Sequence, residues 1–302
     1  MIRTLLTAAL ALCSASAFAA TCDRGCLTTT LDQYLAALVK HDPAAAPLGI
    51  AFRQTENAVV RVRGTGLWQS VTALGKLQRR YFDAVTEQAG YFGTIDEAAG
   101  PAIVSLRLRV EERKITEAEW VINRQRDPGL GSLGGRQADA AFYDPEYLLA
   151  HAPAERVVPT SGRRTRGELV AIANSYFDGL SAHEGEIIVA HPGCVRIENG
   201  ALTTQRPIPN GGETDCTAEG AMANIYAVTA RRYPVVDEEA QVVLGLALFQ
   251  RKPGVDMRRN LLAEWFYVDA GKIRAVYAAM YYPGPEAMLP NWPPFDGNWP
   301  AK

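Results

Sequence analysis

The chain has 302 residues, 48% of them apolar and 21% charged, enough for two domains with their own cores and unlike a disordered or coiled-coil protein. Its 31 Lys and Arg side chains nearly balance 33 Asp and Glu, so bulk charge gives no case for a nucleic-acid or anionic-membrane partner.

Residues 1–20 read as a signal peptide. A short basic start at Arg3 precedes an apolar run from Leu5 to Leu12, and Ala17-Phe18-Ala19 forms a small-x-small cleavage signal. The run is too short for a membrane anchor, and the expected location is secreted or periplasmic with no membrane contact after cleavage. Cys13 leaves with this segment. The remaining Cys22, Cys26, Cys194 and Cys216 are an even set suited to disulfides in an oxidising compartment, with three possible pairings. Cys194 with Cys216 would stiffen a Gly/Pro-rich loop, and Cys22 with Cys26 would be a short, tight pair. The cysteines lack the paired close hooks of a zinc site, and neither a metal nor a cofactor is expected.

The first helix is expected from Leu27, Leu31, Tyr34, Leu35 and Leu38, at i, i+3, i+4 spacing. Its sequence returns later. Asp32-Gln-Tyr34-Leu35-Ala-Ala-Leu38-Val-Lys-His41-Asp42 matches Asn174-Ser-Tyr176-Phe177-Asp-Gly-Leu180-Ser-Ala-His183-Glu184 at an offset of 142, and Glu56-Asn57 matches Glu198-Asn199 at the same offset. Val110 to Ile115 echoes Val268 to Ile273 at an offset of 158, so the second copy carries insertions. A period this long means two similar domains, residues 21–126 and 166–282, rather than a solenoid.

In the first copy, strands are expected over 102–110, where Val104, Leu106, Leu108 and Val110 alternate with Ser105, Arg107 and Arg109, and over 115–122. A Gly/Pro-rich linker over 127–165 follows. The second copy opens with a helix through Leu169, Ile172, Tyr176, Phe177 and Leu180. Arg231-Arg232-Tyr233-Pro234 reads as a helix end stopped by proline, and Asp237-Glu238-Glu239 as a solvated turn. Strands over 241–249, 261–268 and 273–280 come next, with turns at Lys252-Pro-Gly254 and Asp269-Ala-Gly271. Residues 283–302 form a Pro/Trp-rich tail that could cover a domain seam or a pocket. Helix first and antiparallel strands after is an α+β order.

The sequence of helix, Glu-Asn strand, Arg-Arg-Tyr-Pro segment, alternating strand and Val-Asp-Ala-Gly-Lys-Ile (268–273) resembles the nuclear-transport-factor-like, or SnoaL-like, superfamily. Residues 22–126 and 166–282 more specifically resemble a secreted SnoaL-like family of uncharacterised function common in fungi. The landmarks are Asp23-Arg24, Tyr34 to Leu38, and Arg232 to Glu239. The resemblance implies two tandem cones, each with helices packed on a strongly curved antiparallel sheet around a mostly apolar pocket. It also implies cofactor-free acid–base chemistry of the lyase, dehydratase or isomerase type on a small hydrophobic, aromatic or polycyclic molecule. A noncatalytic binding protein is the main alternative, and a structural pair of filled cones without a pocket is the third.

Such chemistry needs a base and a donor to developing negative charge. Glu264 shares a strand face with Leu262, Phe266 and Val268, which makes it an inward carboxylate; the rival placement is an outer face, paired to Arg258, Arg259 or Arg274. Leu106 holds its place in the first copy, so the second copy is the expected seat of activity and the first is degenerate. Tyr176 on the second helix is the oxyanion donor that ketosteroid isomerase suggests by resemblance. His191, beside Pro192 and Cys194, is the candidate imidazole, with Asp215 as its orienter or a base. Arg232, Tyr233, Phe266 and Phe177 are expected to line the pocket. His41 and His183, at repeated helix ends, suit a helix C-terminus. The expected assembly is a monomer with internal domain pairing or a homodimer.

Overall fold

The computed structural model describes residues 21–133, 136–208, 211–218, 224–252 and 258–283, with the side chains of 132–140 left aside. The proposed signal peptide, Pro253-Gly254 of the expected turn and residues 284–302 of the tail lie outside the described residues.

Two copies of one unit follow each other. The first is α1 (Arg24–Val39), β1 (Leu48–Glu56), β2 (Val59–Arg61), α2 (Leu67–Ser70), β3 (Val71–Asp83), β4 (Gln88–Glu97), β5 (Gly100–Glu111) and β6 (Lys114–Asn123). Between the copies stand β7 (Pro128–Leu133), β8 (Arg136–Ala140) and α3 (Pro145–Ala150). The second is α4 (Arg166–Ala182), β9 (Ala190–Glu198), β10 (Ala201–Leu202), β11 (Ile225–Asp237), β12 (Val242–Arg251), β13 (Asn260–Asp269) and β14 (Lys272–Tyr281). The six-stranded sheets have the same order, β2-β1-β6-β5-β4-β3 and β10-β9-β14-β13-β12-β11.

Paired elements date the insertions. β1 and β9 begin at Leu48 and Ala190, 142 apart. β3 and β11 begin at Val71 and Ile225, 154 apart, so twelve residues enter after β10. β6 and β14 begin at Lys114 and Lys272, 158 apart, so four more enter between β12 and β13.

Helix starts follow local chemistry. Asp23 caps α1 by accepting from the Cys26 amide, and Thr165 with Glu168 closes a capping box on α4. The repeated Asn57 and Asn199 both take positive φ, 49° and 47°. Each splints the neighbouring strand in the same way: Asn57 exchanges two hydrogen bonds with the backbone of Ile122, and Asn199 with that of Met280. Gly200, at φ +86°, is required twice over, because a Cβ there would lie 1.9 Å from the Asp144 carbonyl that begins α3.

Three expectations need correction. The sheets are mixed, since β1 runs parallel to β6 and β9 parallel to β14, and strand outweighs helix more than the α+β order implied. Arg231 to Pro234 lies inside β11, not at a helix end; Pro234 is tolerated because β11 is an edge strand with register shifts at 229–232 and 232–235. Arg231 still reaches α4, donating to the Phe177 carbonyl (3.1 Å) and Ser181 Oγ (2.9 Å). Asp237 is not solvated but fully buried.

Each sheet buries both faces. On β5, Val104, Leu106, Leu108 and Val110 face the core beneath α1. On β13, Leu262, Phe266 and Val268 face the core beneath α4, while Leu261, Ala263, Trp265 and Tyr267 face a third core shared with Leu77, Tyr81, Phe92 and Ile103 of the first sheet. The two sheets therefore pack back to back, with α1 and α4 on the outer sides. The expected linker is ordered where described: Leu148 of α3 is buried in the shared core.

The seam has a pseudo-twofold. Asp237 accepts from the Phe82 amide (2.9 Å) and from both terminal nitrogens of Arg24 (2.9 and 3.0 Å). Asp83 accepts from the Val236 amide (3.0 Å) and from Arg166. Arg24 and Arg166 stand 142 apart, and Asp83 and Asp237 are the last residues of β3 and β11. Such reciprocity is the signature of an isologous contact, here made within one chain. Cys22–Cys26 pins the start of α1, and Cys194–Cys216 ties β9 to the inserted loop, with Cα–Cα distances of 5.1 and 5.3 Å. Among the described residues no helix is long and apolar enough to cross a membrane.

Candidate functional site

The second copy holds a cleft of about 260 Å³ with an ionic floor. Arg196 and Glu198 sit two apart on β9 and so share a face. Arg196 donates through Nε and Nη2 to Glu264 Oε1 (3.2 and 2.9 Å) and through Nη1 to Glu198 Oε2 (2.9 Å) and Thr203 Oγ1 (3.1 Å). The Tyr282 hydroxyl donates to Glu198 Oε1. Burial, then the charge of Glu198, push the Tyr282 phenol well above its ordinary pKa, so it keeps its proton and stays a donor. Met280, Phe249, Leu130 and Phe142 line the apolar part, and Arg251, Arg206, Thr214 and Ala218 complete the rim. Leu130 and Phe142 come from the segment between the domains, held down where Leu130 accepts from the Arg258 amide (2.7 Å) and Gly129 from its guanidinium (2.9 Å). That segment lies over the cleft.

The first copy closes the same space. Register places Leu106 opposite Trp120 and Glu264 opposite Ala278, so a leucine–tryptophan pair becomes glutamate–alanine. Gln54 stands where Arg196 does, two residues before Glu56 and Glu198 respectively. Gln54 Oε1 accepts from Tyr34 (2.9 Å) and Trp68 (2.8 Å), and Trp120 donates to the Tyr34 hydroxyl (3.2 Å). Glu56 is engaged by Gln54 Nε2 and by the Leu67 amide (2.9 and 2.7 Å). Two tryptophans thus fill what is open in the second copy.

The mouth differs too. Glu97 ends β4 as Arg251 ends β12. In the first copy Arg124 donates to both Glu97 oxygens (2.5 and 3.0 Å) and Ser70 adds a third bond (2.6 Å). Burial alone would raise the Glu97 pKa, but the Arg124 and Ser70 bonds and the Arg124 charge outweigh it and hold the carboxyl below its usual range. A depressed folded pKa stabilises above the unfolded value, about 4.3 for glutamate, and that stability is lost as pH falls through the folded one. Arg124→Met is expected to cost about 1 kcal/mol at pH 7, discounted for the partly exposed guanidinium. Urea denaturation below about pH 4 should find the gap between variant and wild type closing.

The structure brings together four of the residues expected from sequence. Glu264 is fully buried on the α4 side of β13, as the shared face with Phe266 implied, but its cation is Arg196 rather than Arg258, Arg259 or Arg274. Tyr176 and Phe177 pack on Phe266, each with ring centroids 5.5 Å away, and Tyr176 is fully buried. These groups lie in the core behind the cleft lining. Tyr233 is half-buried at the edge of this core and donates to Asn174 Oδ1 (2.7 Å). Arg232 points the opposite way, as strand alternation requires, and pairs with Glu119 of the first copy.

His191 and Asp215 lie at the Cys194–Cys216 bridge. His191 Nε2 meets the Asp269 carbonyl (2.9 Å). Asp215 accepts from the Thr217 amide and hydroxyl (2.9 and 2.6 Å) and the Gly193 amide (3.2 Å). Burial would raise the Asp215 pKa, but these bonds prevail and lower it, which leaves a poor base. His183 is the left-handed C-cap of α4, with its backbone N–H on the Gly179 carbonyl, and His41 follows the α1 C-cap and donates its N–H to Leu38 O (3.0 Å). Their rings meet carbonyls across from the helices, Ile225 O (2.7 Å) for His183 and Trp68 O (2.6 Å) for His41.

Arg196, Arg251, Met280 and Tyr282 are not expected as site residues from sequence, and Glu198 stands there only as a repeat landmark. The offsets contain the signal: 142 pairs Gln54 with Arg196, 154 pairs Glu97 with Arg251, and 158 pairs Trp120 with Ala278 and Arg124 with Tyr282.

A family model described as a domain of unknown function (DUF8021) matches residues 162–280, the stretch from α4 through most of β14. No curated protein matches the chain.

Proposed function

We propose that the chain is a tandem pair of SnoaL-like cones in which the second binds a small, largely apolar molecule and moves a proton on it. The first is a filled copy that braces the second sheet. The observation that carries this is the cleft of about 260 Å³ opening onto Glu198 and Tyr282, just below the roughly 300–1,000 Å³ of drug-sized sites and so suited to a small molecule. Register shifts in β3 and β11 favour the sheet curvature that a cone needs. Glu198 is the base, Tyr282 donates to the oxyanion that forms, and Arg196 holds Glu198 in place with Glu264 as its counter-ion. The reaction class is isomerisation, dehydration or a related elimination. The two disulfides favour an oxidising compartment and hence export.

Exchange of α-protons for deuterium in small aryl ketones, followed by NMR, tests the chemistry. Glu198→Gln should slow exchange at least about 100-fold, and Ala218→Trp, at the exposed rim, should block it by filling the mouth. No exchange above buffer, with a neutral dye still displaced by Ala218→Trp, would replace the enzyme by a noncatalytic binding protein.

A further inference from the structure

The rim of the cleft has a charge that the first copy does not. Arg251 ends β12 where Glu97 ends β4, and Tyr282 follows β14 where Arg124 follows β6, so the Glu97–Arg124 ion pair is replaced by an arginine and a neutral phenol. Among the described residues Arg251 donates to neutral acceptors: the Arg258 carbonyl (3.2 Å), Asn224 Oδ1 (2.8 Å) and Asn260 Oδ1 (2.9 Å). A guanidinium has five N–H donors, so two remain. Among the described residues no carboxylate lies within ion-pair distance of Arg251 or of Arg206, the second arginine of the rim, and Glu198 acts on Arg251 only through space. Arg251 lies 5.7 Å over the Phe249 ring, which faces the same cleft with Leu130, Phe142 and Met280. Burial works against the Arg251 charge, so an incoming anion would relieve a desolvated cation.

We propose that the ligand of this cleft is a small organic acid, with a one- or two-ring apolar body against Phe249, Met280, Leu130 and Phe142 and a carboxylate on Arg251 and Arg206. The proposal rests on the reading that the cleft takes a small molecule. Guanidinium recognises carboxylate through two parallel bonds, which fixes the end of the molecule that lies at the rim. The apolar body then extends toward Glu198 and Tyr282.

Titration calorimetry on the full mature chain with 2-naphthoate and the neutral 2-naphthalenemethanol tests it. Wild type should bind the carboxylate at least about tenfold more tightly. Arg251→Gln should erase the preference by weakening the carboxylate at least about tenfold more than the alcohol. Arg206→Gln, on an exposed loop where folding is not at stake, should reduce it severalfold. Equal binding of both probes that Ala218→Trp still blocks would overturn the acid proposal and leave the cleft reading standing. Binding of neither probe, or binding that Ala218→Trp does not affect, would overturn both.

Discussion

Trp265→Ala is expected to lower the unfolding free energy by about 4 kcal/mol, the cost of emptying a buried indole site. Trp265 is fully buried between the sheets, with its ring centroid 4.8 Å from Tyr81 and its Nε1 donating to Ser105 Oγ at 3.0 Å. Both partners come from the first copy, so the residue measures the domain contact and not the second core. The fit leaves little room to relax: a Cβ on Gly90 would lie 2.3 Å from the Trp265 ring. Thermal unfolding should show a fall of roughly 10 °C for a chain of this size. A fall under about 2 °C would mean that the sheets do not rely on each other. The same position in the first copy is Arg107, engaged with Glu117 and Glu119, so the pseudo-twofold seam has an aromatic on one side and an ion cluster on the other.

Arg196→Gln should cost a similar amount, about 3–5 kcal/mol, because it takes away the guanidinium that Glu198 and Glu264 share in the interior. The internal repeat supplies the control. Arg196→Gln with Glu264→Leu installs the first copy's pair, Gln54 and Leu106, and should recover much of the loss. Urea denaturation of the two singles and the double gives the coupling, expected to exceed about 2 kcal/mol. Additive losses would show that Arg196 and Glu264 are independent and that the floor is not a unit. Recovery of stability without recovery of activity would mark the ionic floor as a group retained for its chemistry.

Much of this organisation is legible in local sequence. Alternation in Val104 to Val110 and in Leu262 to Val268 identifies strands and their core-facing sides, because side chains of a strand alternate whatever else packs there. The duplicated Tyr, Leu, His and Asn positions locate both helices and both splints. Local pattern does not reveal what covers the second face. Ser105, Arg107 and Asp237 look like solvent residues in their own windows, yet the other copy buries them. Arg231 to Pro234 mimics a helix end because proline stops helices and edge strands alike tolerate it.

By its own repeats and alternation, then, the chain determined two like units, their elements and the inward side of β13. Glu264 against Leu106 already pointed to the second unit as the open one, but how that unit stays open was decided only in three dimensions. An alanine at 278 and an arginine at 196 mean little alone. Volume and charge balance depend on residues from β9, β12, β13 and β14 converging, and these are separated in the chain by up to 80 residues or so. The choice of Arg196 as partner for Glu264, over the arginines nearest in sequence, follows from the same convergence: a buried carboxylate takes the cation that shares its dry interior.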